Sequence, residues 1–404
     1  MKTRAGVPVC HVITQLELGG AQENTLHTVA HLGTPYRPSL VCGAGGLLDD
    51  EARRLRDVPV TFLPHLVRPI RPLSDLAAVR ELSALFVREQ PLIVHTHSSK
   101  AGILGRLAAH LAEVPVVIHS IHGFGFNDMQ PWPLRALLVS LERLLAPLTT
   151  HFIGVSQANL QRAEALGIVP PGRSTLIRSG LPVDEFRRAA ADPTARQALR
   201  DELRLPGNTP LIGMVACLKP QKAPADFIDM AARVAASRPA AHFVLAGDGE
   251  LRDALQRRIE ERGLAGRAHL LGWRRDVPRL MAALDVMVLT SLWEGLPKVI
   301  PQAFAAGVPV VATAVDGTLD VVRDGDTGIL ASPGDIAALA DGVLRLLADP
   351  LFGRALVGRA AALLPEFDID AMVRRQEGLY AELLARRGLD PLPRHRPAAA
   401  AANS

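Results

Sequence analysis

Short apolar runs alternate with longer amphipathic stretches along most of this chain, and this rhythm limits the fold more than any single motif. Strands that are separated by helices form parallel βαβ units, so the pattern predicts an α/β fold with parallel sheets. Seven runs in the first half and five in the second have the length of buried strands. The predicted strands are Val7–Ile13, Pro38–Cys42, Pro59–Leu63, Leu92–His95, Val114–Ile118, Thr150–Gly154, Ser174–Ile177, Leu211–Val215, His242–Ala246, His269–Leu271, Val286–Leu289 and Val308–Ala312.

The rhythm breaks once and then restarts, and the chain of 404 residues is longer than one hydrophobic core usually serves. The polar segment at 187–208 predicts a linker with one short helix. We expect two Rossmann-like domains that face a central cleft, at residues 1–186 and 209–366. A helix at 367–387 is expected to pack back on the first domain, and a tail rich in Pro and Ala at 388–404 to be disordered.

Composition and charge exclude several functions. The net charge of +4 suits an anionic ligand, but an aromatic content of 4% and the lack of a nucleic-acid motif argue against DNA or RNA binding. The cysteines are few, odd in number and widely spaced, which predicts a reducing compartment without a disulfide framework. No apolar run reaches the roughly 18 residues of a membrane span, and Met1 to Leu18 suits a buried strand better than a signal peptide. We therefore expect a cytoplasmic protein.

Ligands of open parallel sheets bind beyond the carboxyl ends of the strands, so the residues that follow each strand are the candidate site. Gly19 and Gly20 follow the first strand and open a helix. Paired glycines there allow a close approach to an anion, or simply make a tight turn. His122 and Gly123 follow the fifth strand, where the spacing fits a loop that faces the cleft and a structural turn equally well.

His95 and His97 lie at the end of the fourth predicted strand and share one of its faces. Two such histidines are compatible with a metal site, but no third ligand is evident nearby. A hydrogen-bonded rim of the cleft is the more common arrangement. We therefore expect no metal and interpret both histidines as candidates for the acceptor side of the cleft.

Lysine is rare in this chain and occurs at five positions. Lys219 and Lys222 share one loop after a second-half strand, where they would neutralise a phosphate chain, although a solvated loop is the alternative. Gly247 and Gly249 form another close-approach turn after the next strand. Without the third glycine of a dinucleotide fingerprint, that turn is weak support for NAD binding.

The most specific segment follows a strand and leads into a helix that we expect to begin near Pro297. Glu294 and Gln302 flank the helix start, and both can accept hydrogen bonds from hydroxyl groups, as sugar recognition requires. Lys298 falls in the first turn, where a cation opposes the helix dipole unless an anion binds there or the side chain extends into solvent. The segment reads Glu294-Gly295-Leu296-Pro297-Lys298.

These motifs together resemble the retaining glycosyltransferases of family four, the group 1 glycosyl transferases, over nearly the whole chain. The resemblance implies a two-domain GT-B fold, a nucleotide-sugar donor held mainly by the second domain and an acceptor on the first. It also implies that neither a divalent metal nor another cofactor takes part. The motifs that carry it are Gly19-Gly20, His95-Thr96-His97, His122-Gly123, Gly247-Asp248-Gly249, Glu294-Gly295-Leu296-Pro297, Gly307-Val308-Pro309-Val310-Val311, Asp324-Gly325 and Thr327-Gly328.

The resemblance also implies roles for individual residues. By position, Glu294 would contact the hydroxyls of the transferred sugar, and His122 would approach the reaction centre. Gly20 would lie against the donor phosphates or sugar, and Lys222 would bind the diphosphate. The remaining donor-side candidates are Gly19, Lys219, Gly247, Gly249, Gly295, Leu296, Pro297, Lys298 and Gln302.

Two positions depart from the family pattern. Cys217 stands where an arginine is usual, and Gln302 stands where a glutamate usually holds the ribose. We expect a retaining hexosyltransferase that uses a UDP-sugar rather than a GDP-sugar, with a glycan or lipid-linked acceptor of cell-surface polysaccharide or glycolipid synthesis. Two alternatives stay open: a sugar-nucleotide epimerase of the same architecture, and a non-catalytic protein that binds nucleotide sugars, which the two departures suggest.

The segment from Trp132 to Leu145 combines many leucines with Arg135 and Arg143. Such a basic amphipathic helix is typical of proteins that lie on anionic lipid, and a helix that faces the core of the first domain is the alternative. The first interpretation predicts peripheral contact with the inner face of the membrane.

Overall fold

The computed structural model describes residues 6–127 and 129–389, and each half of the chain forms one parallel sheet. The strands of the first sheet are β1 (Val7–Gln15), β2 (Tyr36–Gly43), β3 (Val60–Phe62), β4 (Ile93–His97), β5 (Val116–Ile121), β6 (His151–Gly154) and β7 (Ser174–Leu176). Their order is β3-β2-β1-β4-β5-β6-β7, so the direction of winding reverses between β1 and β4. Strand ends at such a reversal open the crevice in which α/β sheets bind ligands.

The second sheet repeats this plan with six strands. They are β8 (Leu211–Val215), β9 (His242–Ala246), β10 (Ala268–Gly272), β11 (Val286–Leu289), β12 (Val310–Thr313) and β13 (Ile329–Ala331). The order β10-β9-β8-β11-β12-β13 reverses between β8 and β11. All twelve predicted strands are present. The sequence pattern missed β13 because a strand of three residues, two of them only partly buried, makes no recognisable apolar run.

Helices connect the strands and cover both faces of each sheet. Their bounds are α1 (Gly20–His31), α2 (Asp49–Arg53), α3 (Pro72–Glu89), α4 (Ser99–Leu111), α5 (Trp132–Leu145), α6 (Gln157–Ala165), α7 (Val183–Ala191), α8 (Pro193–Glu202), α9 (Pro224–Ser237), α10 (Arg252–Glu261), α11 (Val277–Ala283), α12 (Val299–Ala305), α13 (Ile336–Ala348), α14 (Pro350–Ala360) and α15 (Ile369–Arg386). Right-handed crossovers place α3, α4 and α5 on one face of the first sheet and α1 on the other. The two predicted domains are thus α/β layers of the same kind.

The segment predicted as a linker with one short helix contains α8 and the end of α7. The Asp192 carboxylate accepts a hydrogen bond from the Thr194 N–H at 2.9 Å and caps α8, whose first residue is Pro193. Phe186 and Leu199 are buried in the core of the second domain. Helices this short expose most of their residues, and for that reason the segment has the polar composition of a linker.

The last helix, α15, packs on the first sheet although it follows the second domain in the chain. Its buried residues Met372, Tyr380 and Leu384 share one core cluster with Val7 and Ile93 of the first sheet. The chain therefore returns to its first domain after it has built the second.

The predicted disordered tail lies outside the described residues from residue 390 onward. Among the described helices, none is both long and apolar enough to cross a bilayer.

Candidate active site

The strand ends of the two sheets face each other, and residues from both halves touch across the gap. Lys298 Nζ donates a hydrogen bond to Glu23 Oε2 of α1 at 2.9 Å. Gly20 lies beneath this lysine, where a Cβ would stand 2.6 Å from Lys298 Cδ. Opposite His122, a Cβ on Gly295 would stand 1.9 Å from the histidine carbonyl oxygen. The two halves therefore form one cleft, and two of the predicted glycines permit the close approach.

The Glu294 carboxylate is held in a fixed orientation on the second-domain side of the cleft. Lys222 Nζ donates to Glu294 Oε1 at 2.5 Å, and Ser291 Oγ donates to the same oxygen at 2.6 Å. The Glu294 N–H donates to Asp316 Oδ2 at 3.1 Å. Glu294 is 6% exposed. Its Oε2 has no hydrogen-bond partner among the described residues and can accept from the hydroxyls of a ligand.

The helix that follows Glu294 begins at Val299, two residues later than predicted, with Lys298 at its N-cap. Pro301 falls in the first turn, where a missing N–H breaks no intrahelical bond. The Lys298 side chain does not extend into solvent, because its ion pair with Glu23 leaves it 10% exposed. The sequence argument offered a bound anion or extension into solvent for this lysine. Instead, a carboxylate of the first domain supplies the negative charge.

Leu296, Pro297 and Gln302 complete the segment. Leu296 and Pro297 are buried, so they shape the path of the chain beneath the cleft. Gln302 is half-buried one turn into α12, and its N–H donates to the Lys298 carbonyl at 3.1 Å. Its side-chain amide remains available for a ligand.

Lys219 and Lys222 both lie in the loop between β8 and α9, as the sequence predicts. Burial lowers the pKa of Lys219, and the charge of Lys222 lowers it further. Cys217, two residues before Lys219, is half-buried with a free thiol. The loop therefore concentrates positive charge that a bound diphosphate would stabilise.

Gly247 and Gly249 form the turn after β9. They lie against the loop between β8 and α9 that carries Lys219 and Lys222, which we call the lysine loop. Both have left-handed backbone, with φ of 135° and 157°. A Cβ on Gly247 would stand 2.0 Å from the Ala216 carbonyl oxygen, and one on Gly249 would stand 2.5 Å from that of Leu218. These glycines are thus required by the packing of two backbone segments, which shapes the floor of the cleft.

Three histidines form a chain that leads inward from the cleft. His122 Nε2 lies 3.1 Å from His97 Nδ1, and His97 Nε2 lies 3.0 Å from His11 Nδ1. Burial lowers the pKa of His122 to about 4, with a further contribution from the charge of Lys298, and burial alone lowers that of His11 to about 3. Burial, followed by the other histidines, takes the pKa of His97 well below its usual value. All three rings are therefore neutral at pH 7.

His95 belongs to the core rather than to the surface of the cleft. It is fully buried, with Nδ1 2.6 Å from the Tyr380 hydroxyl and Nε2 2.7 Å from Ser120 Oγ. His97 is buried beside it, with both nitrogens engaged by other histidines. Neither ring reaches the surface where an acceptor would bind, because each lies within its strand and not beyond the strand end.

The third histidine that a metal site would require is His11, which the sequence argument missed. Ring nitrogens of His11, His95 and His97 all lie within 4.8 Å of one another. The hydrogen bonds that engage both nitrogens of His95 and of His97 would have to break for a metal to bind. His11 lies beside His95 because β1 pairs with β4, and no local signal in the sequence reports that pairing.

Comparison with known proteins agrees with this architecture. Residues 18–185 match the model of Glycosyltransferase Family 4, and residues 209–349 match that of Glycosyl transferases group 1. An Escherichia coli protein named UDP-Gal:alpha-D-GlcNAc-diphosphoundecaprenol alpha-1,3-galactosyltransferase is 30% identical over 390 residues, 95% of this chain and 98% of that protein. The chain belongs to glycosyltransferase family 4. It is accordingly a glycosyltransferase that acts on a nucleotide sugar, as the sequence predicts.

Other relatives of this family 4 glycosyltransferase are similar over a smaller part of the chain or at lower identity. The D-inositol 3-phosphate glycosyltransferase of Mycobacterium tuberculosis (strain ATCC 25177 / H37Ra) is 31% identical over 320 residues, 73% of this chain and 64% of that protein. The crystal structure of Anabaena HepE in complex with UDP and glucose covers 93% of this chain and 100% of that one, at 22% identity and a TM-score of 0.81. The structure of WaaG, a glycosyltransferase involved in lipopolysaccharide biosynthesis, covers 92% and 99%, at 16% identity and a TM-score of 0.71. The structural likeness confirms the GT-B fold.

Proposed function

We propose that this glycosyltransferase moves a hexosyl group, with retention at the anomeric carbon, from a UDP-sugar to a lipid-linked acceptor. The observation that carries the proposal is the pairing of Glu294 with Lys222 on one wall of the cleft, directly across from His122 on the other. The Escherichia coli relative is named for UDP-galactose and a diphosphoundecaprenol acceptor, and HepE binds UDP. These names support the donor and the acceptor class.

In the proposed mechanism the lysine loop grips the diphosphate. The Lys222 ammonium has three donors, of which one is used on Glu294, so two remain for phosphate oxygens. Lys219 adds a second charge close to Cys217, where the family usually has arginine. Stabilisation of the departing diphosphate lowers the barrier to cleavage of the bond to the anomeric carbon.

The remaining residues position the sugar and the ribose. Glu294 Oε2 accepts hydrogen bonds from sugar hydroxyls, and neutral His122 contributes a hydrogen bond from the opposite wall. Gln302 replaces the family glutamate at the ribose through its amide group. The sequence offers no convincing nucleophile. We infer front-face attack by the acceptor, whose proton passes to the departing phosphate oxygen, so that charge and atoms balance.

The proposal includes peripheral contact with a membrane through α5, because a lipid-linked acceptor is presented at the membrane surface. Apolar residues on the outer face of α5 are exposed, including Trp132, Leu137 and Leu144. The inner face is held by the buried pair of Arg106 and Glu142, whose Nη2 and Oε2 atoms are 2.5 Å apart. The helix thus presents apolar groups to the outside and is anchored from within, as an interfacial helix requires.

A ligand screen followed by a transfer assay tests the proposal. Saturating UDP should raise the melting temperature more than GDP does, since a ligand at a hundredfold excess over its dissociation constant adds roughly 2.7 kcal/mol. With a UDP-hexose and a polyprenyl-diphosphate-linked sugar, proton NMR of the product should show the anomeric configuration of the donor. A larger shift with GDP, or a product of inverted configuration, would contradict the proposal. Release of UDP that needs no acceptor would favour hydrolysis or epimerisation.

A further inference from the structure

The inner end of the histidine chain is a ring nitrogen without a hydrogen-bond partner among the described residues. This nitrogen determines the direction of the hydrogen bonds along the chain. His11 Nε2 is buried and has no hydrogen-bond partner among the described residues. His11, His97 and His122 are neutral, so each carries a single N–H. Two N–H groups serve the two hydrogen bonds, and the third must lie at one end of the chain.

Two arrangements satisfy both hydrogen bonds. In the first, His11 Nδ1 donates to His97 and His97 Nδ1 donates to His122, so that the spare N–H is Nδ1–H of His122. In the second, every direction is reversed and the spare N–H is Nε2–H of His11. The second arrangement buries an N–H without an acceptor, whereas the first leaves a bare lone pair at that nitrogen. Orphaned buried N–H groups are the rarer and costlier defect.

We propose that His97 is a positioning residue that holds His122 as the Nδ1–H tautomer, with Nε2 turned inward as an acceptor. This proposal rests on the proposed function, because it assigns the side of the imidazole that meets the sugar. His122 then donates a hydrogen bond from Nδ1 to a hydroxyl or ring oxygen of the donor sugar. It does not act as a general base, because its basic nitrogen faces His97 at 3.1 Å.

The surroundings of the chain favour this tautomer. His122 is half-buried, and its Nδ1 has no hydrogen-bond partner among the described residues. Lys298 lies close enough for its positive charge to disfavour a second proton on His122, so the ring stays neutral beside the cleft. His95 cannot replace His97 in the chain, because both its nitrogens already have partners.

The tautomer can be measured without turnover. We suggest two-dimensional ¹H–¹⁵N spectra of the full chain labelled at histidine, with the His122 signals assigned by their loss in His122→Asn. The expected result is a protonated Nδ1 and an unprotonated Nε2 on His122 at pH 7. A protonated Nε2, or a cationic ring, would overturn the proposal. So would a stoichiometric metal ion that elemental analysis finds in the parent and not in His97→Leu.

Two variants of His97 give a second readout. Asn places an amide nitrogen near the position of Nδ1, whereas Leu places no polar atom there. His97→Leu should leave His122 a mixture of tautomers and lower kcat about five- to tenfold, the rate equivalent of one neutral hydrogen bond. His97→Asn should restore both. His119→Gln is the matched control. His119, on β5, is buried like His97, but its hydrogen-bond partner is Thr96 and not a member of the histidine chain. In this control variant, His122 should show the same tautomer as in the parent. An altered His122 tautomer would overturn the proposed role of His97.

The two levels of inference fail separately. If no UDP-sugar supports transfer while His122 shows Nδ1–H, the proposed function is wrong and the tautomer assignment stands. If transfer occurs and His122 shows Nε2–H, the assignment is wrong and the function stands.

Discussion

At the scale of single residues, one ion pair joins the lysine that we propose to bind the diphosphate to the carboxylate that we propose to bind the sugar. Lys222 and Glu294 are 2.5 Å apart, and both side chains are largely buried. Removal of either partner leaves the other charge in the cleft without its partner, which is the costly way to disrupt such a pair. The two variants should nevertheless have different phenotypes. A bound diphosphate can take the place of the Glu294 carboxylate as partner of Lys222, but it cannot replace the Lys222 ammonium.

We predict that Lys222→Ala and Glu294→Ala separate binding from catalysis. Lys222→Ala should weaken UDP binding by about 1.5–3 kcal/mol, the value of a charge-assisted hydrogen bond, and leave uridine binding unchanged. Glu294→Ala should bind UDP at least as tightly as the parent, since it frees the Lys222 ammonium, and should lower kcat by about 100-fold. Calorimetric titration and initial rates measure the two effects.

Lys298→Ala is the control for this pair of variants. Its ammonium is engaged with Glu23 across the cleft, so the loss of UDP affinity should be smaller than for Lys222→Ala. If Lys222→Ala binds UDP as tightly as the parent does, the diphosphate site lies elsewhere.

At the scale of elements, helices α3, α4 and α5 carry exposed apolar side chains on one face of the first domain. The exposed fractions are 87% for Leu73, 60% for Leu111, 79% for Trp132 and 72% for Leu144. Exposed apolar groups on neighbouring helices of one face would suit the membrane contact that we propose. The sequence argument proposed membrane contact for α5 alone, because α3 and α4 lie beside α5 only through the crossovers of the fold.

We predict that the protein sediments with anionic phosphatidylglycerol vesicles at low salt and less with phosphatidylcholine vesicles. The double variant Trp132→Ser/Leu144→Ser should reduce the partition coefficient about tenfold or more, because each removes apolar surface from the contact. Trp273→Ser, at an exposed tryptophan of the second domain, is the matched control and should sediment like the parent. Failure of the parent to sediment with anionic vesicles at low salt would end the proposal.

At the scale of the whole molecule, the site exists only when the two domains touch. Gly295 meets the carbonyl of His122, and Lys298 pairs with Glu23. Away from these contacts, Asp320 accepts hydrogen bonds from backbone N–H groups at the start of α6, which joins the domains at a second place. Because the proposed donor-binding groups lie on both walls, we expect the walls to separate to admit a nucleotide sugar and to approach again to exclude water.

We predict that Gly295→Ala holds the domains apart. The added methyl carbon would stand 1.9 Å from the His122 carbonyl oxygen, and neither backbone can yield without opening the cleft. The specificity constant kcat/KM should fall about 100-fold, the cost of misplacing reacting groups by about 1 Å. Small-angle scattering should show that UDP-sugar contracts the parent and not the variant.

Gly358→Ala, on α14, is the control for this closure experiment. Nothing lies within 4 Å of a Cβ at that position, so activity and contraction should match the parent. An unchanged radius of gyration in the parent at saturating donor would argue against closure.

Much of the fold follows from local pattern. Each run of apolar residues between amphipathic stretches became a strand, since a strand buried on both faces needs such a run wherever it lies in the sheet. The segment from Glu294 to Lys298 was recognisable for a similar reason, because its glycine, proline and charged residues act within a few positions of one another. Local pattern failed at β13, which is too short to form a clear apolar run, and it assigned the end of α7 to the linker.

The sequence by itself determined the parallel α/β architecture, the two-domain division and the identity of the residues that follow each strand. Tertiary structure decided which of those residues meet. His11 and His95 are 84 positions apart and become neighbours because β1 pairs with β4, and Tyr380 reaches His95 because α15 returns to the first sheet. Lys298 forms an ion pair with Glu23 of the other domain, which no local sequence signal indicates. Such contacts depend on strand order and on domain approach, and these arise from the packing of the whole chain rather than from any local segment.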